Sequence, residues 1–121
     1  MLNSEQFNPA RSAAHHALKH FGEERQLLKT HEELGELSAA LARWTGAMED
    51  VDLSNQQTID RVEALKTQLI EEMADVLFMM TQLSVILDCD RELTSLFSWK
   101  VERLKYRMKV APIAEVGPLP F

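Results

Sequence analysis

Apolar residues recur along this chain at steps of three and four, the period of amphipathic helices, and no stretch shows the alternation of a half-buried strand. Leu69, Met73, Val76, Met80, Leu83 and Leu87 form a heptad-like seam, and Ile70, Leu77, Phe78, Val85 and Ile86 add apolar surface on other faces. A helix apolar nearly all round needs partners on several sides. One chain of 121 residues supplies few, so the core is expected to be completed by oligomerisation, as a homodimer or homotetramer. Leu27, Leu34, Leu37, Leu41 and Trp44 make a matching seam upstream, and Leu93, Leu96, Phe97, Val101, Leu104 and Met108 a third one downstream. Stripes of this kind are core rather than cofactor sites.

Gly, Pro and the turn-forming polar residues mark the joints between these segments. Asn8-Pro9 predicts the start of a first helix that runs through Leu18 and Phe21 to Gly22. A second is expected from Glu23 to about Trp44, with Gly46 as its stop, followed by a loop over residues 47–57. Thr58 or Ser54 would cap a third helix reaching about Leu87, and Asp88-Cys89-Asp90 makes the next turn. A fourth helix is predicted from about Arg91 to Val110. The expected fold is all-α, a four-helix bundle in one domain over residues 1–110, with residues 111–121 as a Pro-rich extended tail.

Charge narrows the function classes. A formal net charge of −6 argues against wrapping a nucleic-acid polymer, which demands a dense basic surface. A single cysteine, Cys89, excludes an intramolecular disulfide and a Cys-based zinc site, and fits a reducing compartment. Asp75, Thr81, Gln82 and Ser84 interrupt the most apolar segment, so no membrane span is expected. Met1 to Asn8 is polar where a signal sequence would be charged and then apolar, and the expected location is cytoplasmic.

Four carboxylates carry the candidate chemistry. Turning each residue by about 100° places Glu33 and Glu36 on one flank of the upstream seam, and Glu72 and Asp75 on one flank of the next. If the seams face each other, all four converge. Asp75 is the informative member, because it sits among Met73, Ala74, Val76, Leu77 and Phe78 and has poor helix propensity. A half-buried carboxylate there is costly unless it is paired or holds a metal, and a divalent cation reverses the repulsion between facing acidic pairs. Oxygen-only ligands point to Mg²⁺ or Mn²⁺. The helical di-iron pattern requires Glu-x-x-His, which neither Glu33 nor Glu72 provides. The competing explanation is a solvated acidic face held by i,i+4 partners, common for a single Glu-x-x-Glu.

The two motifs, Glu32-Glu33-Leu34-Gly35-Glu36-Leu37 and Glu71-Glu72-Met73-Ala74-Asp75-Val76-Leu77, resemble those of the MazG-like all-α nucleoside triphosphate pyrophosphohydrolases. The resemblance runs from about Phe21 to Met108 and includes Phe21-Gly22 and Gln26 ahead of the first motif. Residues 37–71 separate the motifs, a longer interval than is usual in that family. The resemblance implies Glu33, Glu36, Glu72 and Asp75 as ligands of Mg²⁺ or Mn²⁺, and Glu32 as the group that orients or deprotonates the attacking water. It also implies Lys100 and Arg103 as phosphate contacts on the following helix, where Val101 replaces a common aromatic. The local charge agrees: Lys100, Arg103, Lys105, Arg107 and Lys109 stand against Glu102 alone.

The implied reaction is hydrolysis of a nucleoside triphosphate, ribo or deoxy, to the monophosphate and pyrophosphate. The alternatives are a relative acting on another pyrophosphate, such as phosphoribosyl-ATP, and a non-catalytic helical oligomer or adaptor. No Gly-rich phosphate loop is present, which sets aside a Walker-type NTPase. His15, His16, His20 and His31 are expected to be packing or surface residues, and Trp44 and Trp99 to be buried in the core or an interface.

Overall fold

The structure, a computed structural model, describes residues 4–110, with side chains from 9 to 109. The tail expected over 111–121 lies outside the described residues. Among the described residues every regular element is helical: α1 (Ser4–Phe21), α2 (Glu23–Glu49), α3 (Gln56–Leu87) and α4 (Asp90–Val110). The chain divides into two compact units, Met1–Leu87 and Asp88–Phe121, and each is described by itself. In the first unit α2 and α3 make the main packing contact and α1 lies against both. Among the described residues no helix is long and apolar enough to cross a membrane.

Gly22 is the joint between α1 and α2. Its N–H closes α1 on the Leu18 carbonyl at 2.9 Å, and its own carbonyl accepts from the Gln26 N–H at 3.2 Å as α2 begins. One residue serves both ends because φ is +89° there, a region that an L side chain rarely adopts. Asp88 makes the comparable turn after α3 at φ +48°, where a short polar side chain is tolerated.

Three boundaries differ from the sequence expectation. Helix α1 begins at Ser4, so Pro9 lies inside it instead of opening it. Gly46 does not stop α2, which continues to Glu49 and ends with the Asp50 N–H on the Gly46 carbonyl at 3.2 Å. A helical glycine costs only about 1 kcal/mol, and the next residue, Ala47, is buried in the packed seam and draws the helix onward. The cap of α3 is neither Thr58 nor Ser54 but Asn55, whose Oδ1 accepts from the Gln57 N–H at 3.0 Å. Thr58 instead ties the loop to the helix, accepting from the Asp52 N–H at 3.0 Å and lying 2.8 Å from the Asn55 carbonyl. The long interval between the motifs is therefore mostly helix. The loop between α2 and α3 spans only residues 50–55.

The packed seams are rotated from those that apolar periodicity predicts. On α2 the buried line is Gln26, Thr30, Glu33, Ala40 and Ala47, with Leu37 and Trp44 half-buried between them. On α3 it is Leu65, Met79 and Gln82, with Leu69, Glu72, Val76 and Leu83 half-buried. Leu34 and Leu41 of the expected α2 seam are exposed, as are Met73, Met80 and Leu87 of the expected α3 seam. The true seams carry polar residues at heptad positions. Ala40 and Ala47 are the buried apolar residues of the α2 line.

Candidate metal centre

Residue pairs across the α2–α3 contact define an antiparallel register. Gln26 meets Gln82, Thr30 meets Met79, and Glu33 meets Glu72 and Asp75. Each advance along α2 is thus matched by a retreat along α3. The result is a group of three carboxylates, Glu33, Glu72 and Asp75, that offer ligand oxygens all within 4.8 Å of one another. Glu33 is only 6% exposed, Glu72 is half-buried and Asp75 faces solvent. The cluster grades from the packed seam to the surface, with Asp75 on its open side.

Its polar accounting is incomplete. Oε2 of Glu33 and Oε2 of Glu72 are both buried without a hydrogen-bond partner. A buried carboxylate oxygen without a donor is costly, and two of them side by side are costlier. A hard divalent cation satisfies both with the chemistry this all-oxygen donor set favours. Glu33, Glu72 and Asp75 therefore fit Mg²⁺ or Mn²⁺.

Glu36 lies one turn along α2 and is exposed, outside the 4.8 Å group but within its field. Its carboxyl is pushed above the ordinary range by the negative charge of Glu33 first, then by partial desolvation, the charges of Glu72 and Glu32, and hydrogen bonding with Glu33. Glu33, Glu72 and Asp75 are thus brought together directly, and Glu36 joins them electrostatically.

Lys29 is the participant that the sequence reading did not single out. Its ammonium lies 3.1 Å from Glu33 Oε1 and 3.5 Å from Glu32 Oε1. The hydrogen bond to Glu33, followed by the charges of Glu32 and Glu33, raises its pKa. The signal was available in the i,i+4 spacing of Lys29 and Glu33 on one helix. Glu32, expected to handle the attacking water, is exposed and shares this lysine. Beside them an open depression of about 480 Å³ is lined by Phe21, Arg25, Gln26, Lys29, Glu32 and Met79. The Arg25 guanidinium stands 5.7 Å over the Phe21 ring, and His20 meets that ring edge-on.

In the second unit, Lys100 and Arg103 are exposed on α4, where the Arg103 guanidinium lies 5.3 Å over the Trp99 ring. Trp99 is exposed in the single chain, as are its neighbours along α4. His15, His16, His20 and His31 are all exposed. Searches of family models, curated proteins and solved structures gave no match to this chain.

Proposed function

We propose that the chain is a MazG-like, Mg²⁺- or Mn²⁺-dependent nucleoside triphosphate pyrophosphohydrolase that converts an NTP or dNTP to the monophosphate and pyrophosphate. The observation that carries this reading is Glu33, a carboxylate nine-tenths buried with an unpartnered oxygen, beside Glu72 with another. Burying like charges together stabilises nothing by itself; it becomes intelligible if a cation binds among them.

Glu33, Glu72 and Asp75, with Glu36 alongside, would hold the ion, which when bound supplies charge neutralisation for phosphate oxygens and acidifies water. The chain's own residues do the rest. Arg25 and Lys29 put two cations on the wall of the depression beside the cluster, placed to meet phosphate oxygens. The resemblance adds Lys100 and Arg103 to that role. Glu32 stands next to the first ligand, exposed to water, where a carboxylate can take its proton. Attack forms one P–O bond, cleavage breaks the phosphoanhydride, and pyrophosphate leaves.

Exposed Leu28, Leu34, Leu41 and Met48 on α2, and Ile70, Met73, Met80 and Leu87 on α3, support assembly into a homodimer or homotetramer that covers them. A cytoplasmic location accords with a substrate drawn from the nucleotide pool.

Glu72→Gln and Asp75→Asn test the site. Both remove a ligand charge while keeping side-chain shape, so turnover is expected to vanish with helix content unchanged by circular dichroism. Undiminished turnover in either variant removes the carboxylates from the mechanism.

A further inference from the structure

The apolar faces of α2 and α3 do not by themselves define how the helices are set lengthwise. The apolar residues of the packed lines, such as Leu37, Ala40 and Ala47 on α2 and Leu69, Val76 and Leu83 on α3, make only non-directional contacts, which constrain the register weakly. The cluster tolerates no such slip, because Glu33 comes from α2 and Glu72 and Asp75 from α3. Some other feature must distinguish the native register.

Two buried glutamines do so. Gln26 Nε2 donates to Gln82 Oε1 at 2.8 Å across the α2–α3 contact. Gln82 is 0% exposed and Gln26 8%, so neither amide has ready recourse to water. Gln82 Nε2 also lies 4.0 Å from Met79 Sδ, whereas the Thr30 hydroxyl donates to the Gln26 carbonyl of its own helix at 2.8 Å and only lies near Met79 Sδ, at 3.5 Å. The other buried hydroxyls on α3 bond within their own helix, Thr81 to the Leu77 carbonyl and Ser84 to the Thr81 carbonyl, and are blind to register.

The spacing joins this pair to the cluster. Gln26 is seven residues before Glu33 on α2, and Gln82 seven residues after Asp75 on α3. In an antiparallel pair these equal steps place both contacts on one seam, two turns apart. We infer that the Gln26–Gln82 amide bond fixes the register of α2 against α3 and so brings Glu33 to Glu72 and Asp75. Gln26 and Gln82 are positioning residues: they act through the carboxylates. A slipped register leaves two buried amides without partners, a penalty the apolar residues do not impose. A single buried polar pair setting the register of packed helices is an established device.

The metal-binding consequence rests on the function proposed above, whereas the register itself does not, and two readouts keep them separate. The first is the distance between nitroxide labels at Glu24→Cys and Gln68→Cys in a Cys89→Ser background of the full chain, measured by pulsed electron resonance. Native register offsets these exposed sites by about 24 Å along the bundle, and a one-turn slip changes that by about 5 Å. The second is Mn²⁺ affinity by calorimetry on unlabelled protein.

The decisive variant is Gln26→Met/Gln82→Met, which removes both amides at once and leaves no buried donor without an acceptor. Its helix content is expected to match the parent. Its distance distribution is expected to broaden or gain a second population, and Mn²⁺ binding to weaken by about tenfold or more. The single Gln82→Met variant strands the Gln26 amide and is expected to melt below the double variant, so lost stability and lost register are told apart. An unchanged distance distribution overturns the inference, as does a changed one with Mn²⁺ affinity within about twofold of the parent. A parent protein that binds no Mn²⁺ refutes the metal reading, and the distance measurement then decides the register alone.

Discussion

Glu33→Gln separates the electrostatic cost of the carboxylate cluster from its use. Glu33 lies within 4.8 Å of ligand oxygens on both Glu72 and Asp75. At an effective dielectric of about 20, two unit charges at that distance repel by about 3.5 kcal/mol. Lys29, at 3.1 Å, offsets part of this, and the exposure of Asp75 screens more. Removing the charge but keeping the amide shape should therefore leave the metal-free protein as stable as the parent or more so. Metal reverses the order. A ligand at about one hundred times its Kd adds about 2.7 kcal/mol of stability. For a domain of this size that raises Tm by roughly 10 °C. Thermal scans of parent and variant, with EDTA and with saturating Mn²⁺, should show this rise in the parent and little in Glu33→Gln. A variant that keeps the full metal-induced rise, or that melts several degrees below the parent in EDTA, would refute the reasoning.

Other consequences follow from neighbouring groups. Because the Glu36 carboxyl is raised by Glu33 first, its contribution to stability is present below the ordinary carboxylate range and is lost as pH rises through the raised value. Glu36→Gln should remove that loss from urea titrations of the metal-free protein, and a pH profile unchanged from the parent would contradict the assignment. Gly22→Ala should destabilise by about 1–2 kcal/mol, although open space surrounds the new methyl, because φ is +89°. Chemical denaturation checks this, and a neutral result would mean that the joint relaxes. Thr58→Val should cost about 1 kcal/mol by freeing the Asp52 N–H, with faster amide exchange at Asp52 as its signature.

Helix number and most boundaries were legible because turn residues are few and local chemistry decides them. Gly22 and the Asp88-Cys89 turn lie where the pattern put them. The seams were legible only to within a rotation of each helix. Periodicity weighs leucines and methionines, so it selected Leu34, Leu41, Met73 and Met80, all of which are exposed. The packed line on α2 passes through Gln26, Thr30 and Glu33, residues that a hydrophobic pattern discounts. Those polar residues lie on the face that carries the carboxylate cluster, so a pattern that weighs apolar residues alone missed that face. Of the four carboxylates expected to converge, Glu33, Glu72 and Asp75 do so, whereas Glu36 stays outside the group and Asp75, expected to be half-buried, is exposed. Lys29 was not singled out, although its i,i+4 spacing to Glu33 was legible, because that spacing is common among helical acids and only the 3.1 Å contact distinguishes it.

The most direct test of the central claim is product identification by ³¹P NMR after incubating the purified chain with a panel of NTPs and dNTPs, in Mg²⁺, in Mn²⁺ and in EDTA. The account predicts monophosphate and pyrophosphate in equal amounts from at least one nucleotide, with both products absent in EDTA and in Asp75→Asn. Diphosphate with orthophosphate, or turnover that persists in EDTA, would contradict it.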